Sequence, residues 1–583
     1  MVKLIVKHLK RMDYIMMVFM IVLIAGSVYL ELMIPSFMQE ITLLLTVGAP
    51  TTSEVMIIGL KMLACALGAG IISIICGYIS AKISANLSYY LKDNIYTSVQ
   101  KFSIAEMKKF STASLITRTT NDVNQVQMFL SMGIVLLVRA PIMAISAICI
   151  IATKNYKWTL ATFIAVAIIV SVIVILISLC IKKFKKIQQY NDDLNRVSEE
   201  NLTGLRVVRA FNAEKFEEEK FEKTNNELTK THLFIGRTLG FMGPIMNIIM
   251  NGLTLAIYAI AIGLMLKVEG SNAKALIFAD MTVFSNYAMQ IIISFMLLIM
   301  IFIMMPRALV SAKRINEVLK EKPSVLDGTI NNVDNLGTIE FKNVSFKYPD
   351  AEEYVLKNIS FKVNKGETVA FIGSTGSGKS TLINLVPRLY DSTEGEVLVD
   401  GVNVKEYSIN SLNNKIGYIS QKATLFNESI KNNLTFGDAG KEIKKEDIEK
   451  ALLASNANEF VDKFDSKLDY VISQGGNNVS GGQKQRLSIA RALAKDPEIL
   501  IFDDSFSALD MKTDRQVRQN LKKHYNKATT LIVAQRIGTI KNADKIVVLD
   551  NGNIVGIGSH ESLLKSCKTY REIALSQLSK EEL

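Results

Sequence analysis

The chain has 583 residues, 49% of them hydrophobic and 21% charged, with a formal net charge of +12 and five cysteines. Its apolar runs crowd into about the first 310 residues, and the rest has the composition of a soluble protein. That split excludes a disordered chain, a collagen-like fibre and a wholly soluble enzyme. The positive charge suits an anionic membrane surface or nucleic acid; with lipid-spanning segments present, the bilayer is the expected partner and nucleic acid is not.

Six stretches, at about 13–37, 55–80, 128–152, 158–181, 239–266 and 277–305, are long and apolar enough to cross a bilayer as helices. The first follows Lys3, Lys7, Lys10 and Arg11, but it is too long for a signal peptide and has no small-residue cleavage site. Residues 1–12 lead straight into it, which disfavours a peptidase-like extension and peptide maturation. The connection 38–54 has no Lys or Arg, and 153–157 reads as a short turn. The connection 82–127 holds Lys82, Lys92, Lys101, Lys108, Lys109 and Arg118, and 182–238 opens with Lys182, Lys183, Lys185 and Lys186. The basic connections belong on the cytoplasmic side, together with both termini. They show helical periodicity without Gly/Pro clusters, so spans two to five are expected to run on past the membrane and reverse near 105–112 and 205–220.

Polar groups are few within the spans. Arg139, in LLVRAPIM, is the conspicuous one; it marks either a functional site or a structural contact beside Pro141. Cys65, Cys76, Cys149 and Cys180 lie in apolar runs, and Cys567 is alone near the C-terminus. An odd count without metal-ligand spacing makes them small buried hydrophobes.

From residue 337 the pattern turns to strands, turns and helices, after a linker at 321–336. The strand ETVAFIG runs into Gly373, Ser374, Thr375, Gly376, Ser377, Gly378, Lys379 and Ser380, and then into a helix beginning at Thr381. Strand, G-x-x-x-x-G-K-[ST] loop and helix make a phosphate cradle. Backbone N–H groups surround the phosphates, Lys379 reaches the terminal ones, Ser380 ligates Mg²⁺, and the helix N-terminus adds positive potential. EILIFDD ends a second apolar strand in Asp503, placed to hold Mg²⁺ through water, and in Asp504, placed to orient an attacking water. Just upstream, Ser480, Gly481, Gly482 and Gln483 open a helix and offer a second anion-binding end. One subunit cannot easily bring both ends to the same phosphates.

On these motifs the chain resembles an ATP-binding cassette (ABC) transporter half-subunit of the exporter type, over nearly its whole length. The implied fold is a polytopic α-helical membrane domain, residues 1–320, followed by an α/β P-loop ATPase domain, residues 337–583. The resemblance makes Tyr348 in FKYPD the aromatic that stacks on adenine, and Gln421 in YISQ the glutamine that touches Mg²⁺ and senses the membrane domain. It makes SGGQ the signature motif, and Ser507 to Asp510 (SALD) the dimer-contact loop. In the membrane half, RTTNDV (118–123), GLRVVRAFNAEKFE (204–217) and SAKRINEVL (311–319) resemble family stretches. A head-to-tail dimer is implied, with each ATP held between the phosphate loop of one subunit and the signature of the other.

Three positions depart from the family pattern. Asp504 stands where Glu is usual, Gln535 in LIVAQRIG where His is usual, and Gln474 in ISQGG where Glu is usual. Aspartate is one methylene shorter and sets its carboxylate back by about 1 Å, a misplacement that can cost ~10²-fold. Glutamine can hydrogen-bond a γ-phosphate but has no imidazole protonation chemistry. With an intact signature, the reading is the degenerate-site half of a heterodimeric, multidrug-type exporter in the plasma membrane of a bacterium. It uses ATP and Mg²⁺, needs a second half-transporter, and moves small hydrophobic or amphipathic molecules. Two alternatives are a homodimeric lipid flippase or importer on the same fold, and an ATP-binding regulatory membrane protein that transports nothing. Vesicle transport with the partner present separates transporter from regulator.

Overall fold

The computed structural model describes residues 2–48, 51–152, 156–331, 333, 336–437 and 440–578. The chain forms two compact units. One takes in residues 1–98 and 113–320; the other takes in 99–112 and 321–583.

The first unit is helical. Its membrane-crossing candidates are α1 (Arg11–Val47), α2 (Thr52–Gln100), α4 (Thr112–Ala152), α5 (Tyr156–Ala210), α6 (Glu214–Met265) and α7 (Ser271–Lys320), with the short α3 (Ile104–Phe110) between α2 and α4. Each contains one of the six apolar stretches and runs well beyond it. The long basic connections are therefore helix, as their periodicity indicates, and the chain reverses at α3 and at residues 211–213. Part of the turn expected at 153–157 lies outside the described residues. Outward faces carry exposed Leu60, Ile74, Phe163, Ile248 and Leu255. Apolar area of that extent is stable only against lipid, and helices suit lipid because their backbone bonds close internally.

Polar contacts inside this unit join helices far apart in sequence. Arg139 on α4 donates through one Nη to both carboxylate oxygens of Glu31 on α1, at 2.6 and 2.8 Å. The intramembrane arginine is thus half of an ion pair. Its partner lies within the first apolar stretch, where sequence reading overlooked it. Gln39 donates to Asp280 at 2.5 Å, and the Tyr287 hydroxyl donates to the Leu32 carbonyl at 2.8 Å, tying α1 to α7. The RTTNDV and SAKRINEVL stretches meet: Ser311 donates to buried Asp122 at 2.8 Å, and Arg118 donates to Glu317 at 3.0 Å. Arg118–Asp122 is a π-helical turn, a widening that re-aims side chains. The cysteines are free; Cys76, Cys180 and Cys567 are buried, Cys65 is partly so, and Cys149 is exposed on its span instead of buried as expected.

In the second unit, β1 (Ile339–Phe346), β2 (Leu356–Val363), β4 (Glu394–Val399) and β5 (Val402–Asn403) form an antiparallel sheet in the order β2-β1-β4-β5. β3 (Thr368–Gly373), β6 (Ile416–Ile419), β7 (Ile499–Asp503), β8 (Thr529–Val533), β9 (Lys545–Asp550) and β10 (Asn553–Gly558) form a second sheet, ordered β10-β9-β3-β8-β7-β6. It is parallel except at the β10 edge. Its strands read as continuous apolar runs because both faces are covered. Val369 and Phe371 enter one core, whereas Ala370 and Ile372 enter the other. Helix α3 joins this unit: Ile104 and Ala105 pack on the first core, Glu106 accepts from the Ser324 N–H at 3.2 Å, and Lys109 pairs with Glu321 at 2.6 Å.

Candidate nucleotide site

The register of the parallel sheet decides which residues meet. Phe371 is level with Val533, and Val533 with Asp503, so β3, β8 and β7 end side by side. The segments leaving those ends carry the glycine loop, Gln535 and Asp504; β6, next in line, delivers Gln421. Residues more than 150 positions apart thus converge at the carboxyl edge of the sheet, where such folds hold their ligands.

The loop from Gly373 to Gly378 leads into α8 (Lys379–Asn384). Gly378 has φ 96°, and a Cβ there would sit 2.8 Å from Leu356 Cδ2 and 3.1 Å from the Val355 carbonyl oxygen. Only glycine fits. Gly378→Ala is expected to weaken nucleotide binding by about tenfold or more, because the left-handed backbone alone costs about 1–2 kcal/mol; a nucleotide titration checks it. Lys379 Nζ folds over its own loop, donating to the Gly373 and Ser374 carbonyls at 2.9 and 2.7 Å and lying 3.3 Å from Ser377 Oγ. Burial pushes the Lys379 ammonium pKa down, opposed by the charges of Asp504 and Asp503. Ser374 also closes the turn, its carbonyl accepting from the Ser377 N–H at 3.2 Å, and Thr375 and Gly376 form the tip.

Ser380 Oγ donates to Asp503 Oδ1 at 2.7 Å. The Tyr418 hydroxyl, which sequence reading did not single out, lies 2.9 Å from Asn384 Oδ1 and 3.4 Å from Asp503 Oδ2. Asp504 sits at φ 48°, and its Oδ2 accepts from both Gln535 Nε2 at 2.7 Å and Gln421 Nε2 at 3.3 Å. Both carboxylates are under 10% exposed, and burial pushes their pKa values up; hydrogen bonds from Ser380 and Tyr418 to Asp503, and from Gln421 and Gln535 to Asp504, oppose the rise. Two carboxylates against one ammonium leave the site short of positive charge.

Tyr348 lies against the α8 start, its hydroxyl 2.9 Å from Thr381 Oγ1, with edge contacts to Phe346 and Tyr390. Lys108 of α3 sits over its ring, 4.8 Å from the centroid. At about 240 positions away, no local signal marked that lysine.

Ser480 caps α9 (Gly481–Ala494): its Oγ accepts from the Gln483 N–H at 3.3 Å, and Gln483 Oε1 accepts from the Ser480 N–H at 2.8 Å. Gly481 and Gly482 leave that helix end bare. Among the described residues no hydrogen bond or ion pair joins 480–483 to 373–380. Ser507 Oγ donates to the Asp504 carbonyl at 2.7 Å, and Asp510 caps α10 (Met511–His524) by accepting from the Lys512 and Thr513 N–H groups. Those backbone bonds hold the Asp510 carboxyl below its usual range. Gln474 opens a short 3₁₀ turn, Gln474–Gly476.

Residues 356–507 match the family described as ABC transporter, and residues 17–292 match the ABC transporter transmembrane region. The chain is 36% identical over 528 residues to a Mycobacterium tuberculosis protein named as an uncharacterized ABC transporter ATP-binding protein, covering 89% of this chain and 87% of that one. It is 34% identical over 529 residues to the similarly named YfiB of Bacillus subtilis, covering 90% and 89%. It is 31% identical over 510 residues to an ATP-dependent lipid A-core flippase of Haemophilus influenzae, covering 88% and 86%. In fold it is similar to a bacterial Atm1-family ABC exporter solved with ATP bound, with a TM-score of 0.81 over 98% of this chain and all of that one at 22% identity. The chain belongs to the ABC transporters: it is an ATP-binding half-transporter of the exporter type, with a six-helix membrane region fused to an ABC ATPase domain.

Proposed function

We propose that this chain is the degenerate-site half of a heterodimeric exporter of amphipathic or lipid-like small molecules, seated in a bacterial cell membrane with its ATPase domain in the cytoplasm. The arrangement at Asp504 carries the reading. A general base needs a free carboxylate oxygen within reach of water. Here the shorter Asp504 has its Oδ2 held by the Gln535 and Gln421 amides, which leaves Oδ1 alone to serve from a set-back position, and neither amide can take up a proton. The nucleotide-holding parts are intact: Lys379 and the loop N–H groups for phosphates, Tyr348 for the base. Ser380 Oγ and Asp503 Oδ1 offer the oxygen ligands that Mg²⁺ prefers, with Gln421 nearby. When bound, Mg²⁺ would neutralise phosphate charge and polarise the terminal phosphoryl group.

The α9 start, capped by Ser480 and Gln483 and, among the described residues, without a hydrogen bond to 373–380, fits a role at the partner's nucleotide. The basic connections support the cytoplasmic placement, the bacterial relatives support the source, and the relatives named lipid A-core flippase favour lipid-like cargo.

Purified alone, the chain is expected to bind ATP and hydrolyse it slowly, with co-purified partner raising the rate. In that pair, Ser480→Ala should lower ATPase activity by about tenfold or more, because a helix-start donor facing developing phosphate charge is lost. Asp504→Asn should change it by less than about twofold, since its site contributes little. Fast turnover by a demonstrated homodimer sinks the proposal; the reverse ranking of the two variants would mean the sites are assigned the wrong way round.

A further inference from the structure

The segment after β8 is anchored from a helix near the end of the described chain. Gln535 and Ile537 flank Arg536, which is the cap of α11 (Ile537–Ile540) but makes no side-chain cap bond. The opening N–H of a short helix and the carbonyl just before it are groups that need partners. Both find the same one. Gln577, the last residue of α12 (Lys568–Gln577), donates from Nε2 to the Gln535 carbonyl at 2.8 Å and accepts from the Ile537 N–H at Oε1, also at 2.8 Å. A carboxamide has one donor end and one acceptor end, and here each faces its complement, so the side chain behaves as a short piece of backbone laid across the loop.

The helix that presents it is firmly held. Tyr570 and Ala574 are fully buried in the core that also holds Ile537 and Ile540, and the Tyr570 hydroxyl lies 2.7 Å from His560 Nδ1. Gln577 follows Tyr570 by seven positions and Ala574 by three, so it stands on the same helical face, over the loop. On the other side of the loop, Gln535 holds Asp504 Oδ2 at 2.7 Å. A continuous chain of contacts therefore runs from the C-terminal helix through Gln577 and the Gln535 backbone to the carboxylate beside the phosphate loop.

We propose that Gln577 is a positioning residue for nucleotide recognition: its amide clamps the 535–537 backbone so that Gln535 is held where a terminal phosphate would lie, and the C-terminal helix thereby sets how well the site tells ATP from ADP. This rests on the proposed assignment of residues 373–380 and Gln535 to the phosphates. Adenine- and loop-side contacts do not depend on Gln577, so its loss should fall on the γ-phosphate alone.

The test uses the full-length chain in lipid nanodiscs with Mg²⁺, titrated with ADP and with AMP-PNP, a non-hydrolysable ATP analogue, so slow or fast turnover does not enter. Gln577→Ala is expected to lower the AMP-PNP to ADP affinity ratio about 3- to 10-fold, the scale of one or two hydrogen bonds, with ADP affinity unchanged. Hydrogen exchange of peptides covering 535–540 should quicken in the same variant. Gln577→Glu keeps the shape and the acceptor but sets an oxygen against the Gln535 carbonyl, and it should follow the alanine variant. A preserved ratio in either variant, or equal loss of both nucleotides, overturns the clamp. If the wild type itself fails to prefer AMP-PNP, the assignment of the site is wrong, and the exchange measurement still decides whether Gln577 holds the loop.

Discussion

Asp504→Glu combined with Gln535→His should restore hydrolysis at this chain's own site, by about 10²-fold over the unmodified chain. Lengthening the side chain by one methylene advances the carboxylate by about 1 Å, enough to matter for holding an attacking water. Replacing Gln535 removes the nearer amide donor, at 2.7 Å, and supplies an imidazole beside the phosphate. Either change alone leaves one obstacle in place, and groups that act as a unit are strongly non-additive. The measurement is ATPase activity of the double variant, paired with a partner whose own catalytic glutamate has been changed to glutamine. Any recovered turnover must then come from the repaired site. Activity that stays at background while ATP still binds would show that some other feature, such as the partner's signature, disables it.

The Glu31–Arg139 pair is the second place where a large effect is expected. Arg139→Met should destabilise the membrane unit by about 2.5–3.5 kcal/mol, the cost of an unpaired charge within a span. Glu31→Leu alone should behave similarly, whereas the double variant Glu31→Leu/Arg139→Met should recover most of the loss, because an apolar pair of similar volume leaves no charge stranded. Thermal unfolding of all four proteins in one detergent gives the coupling energy directly. Additive single effects would mean that the 2.6 and 2.8 Å contacts bear no energy and that Arg139 answers to something else.

How much the sequence disclosed depended on range. The six spans and the helical character of the long basic connections follow from local periodicity and apolar length, and these agree with the structure. The glycine loop, Asp503 and the capped SGGQ helix start were legible because each motif carries its own backbone geometry: a strand end, a left-handed glycine, a capping box. What escaped was pairing across distance. Glu31 gave no cue that Arg139 needed it, Tyr418 gave no sign that it would approach Asp503, and Lys108 on α3 precedes Tyr348 by about 240 positions. Gln577 did follow a readable stripe, Tyr570–Ala574–Gln577, yet nothing in that stripe says which loop it covers.

The position of β3 in its sheet bears on how the protein is made. β3 carries the phosphate loop, but its neighbours are β8 and β9, which end at Val533 and Asp550. A ribosome adding about 5–20 residues per second needs about 9–35 s to go from the loop to the end of β9. Until β8 is made the glycine loop has neither flanking strand, until β9 is made it lacks one of the two, and non-local pairing of this kind forms slowly. Nascent chains, and products truncated before β9, would therefore carry the whole phosphate motif in their sequence and still fail to hold a nucleotide. Competence to bind ATP arrives only once β9 has been made.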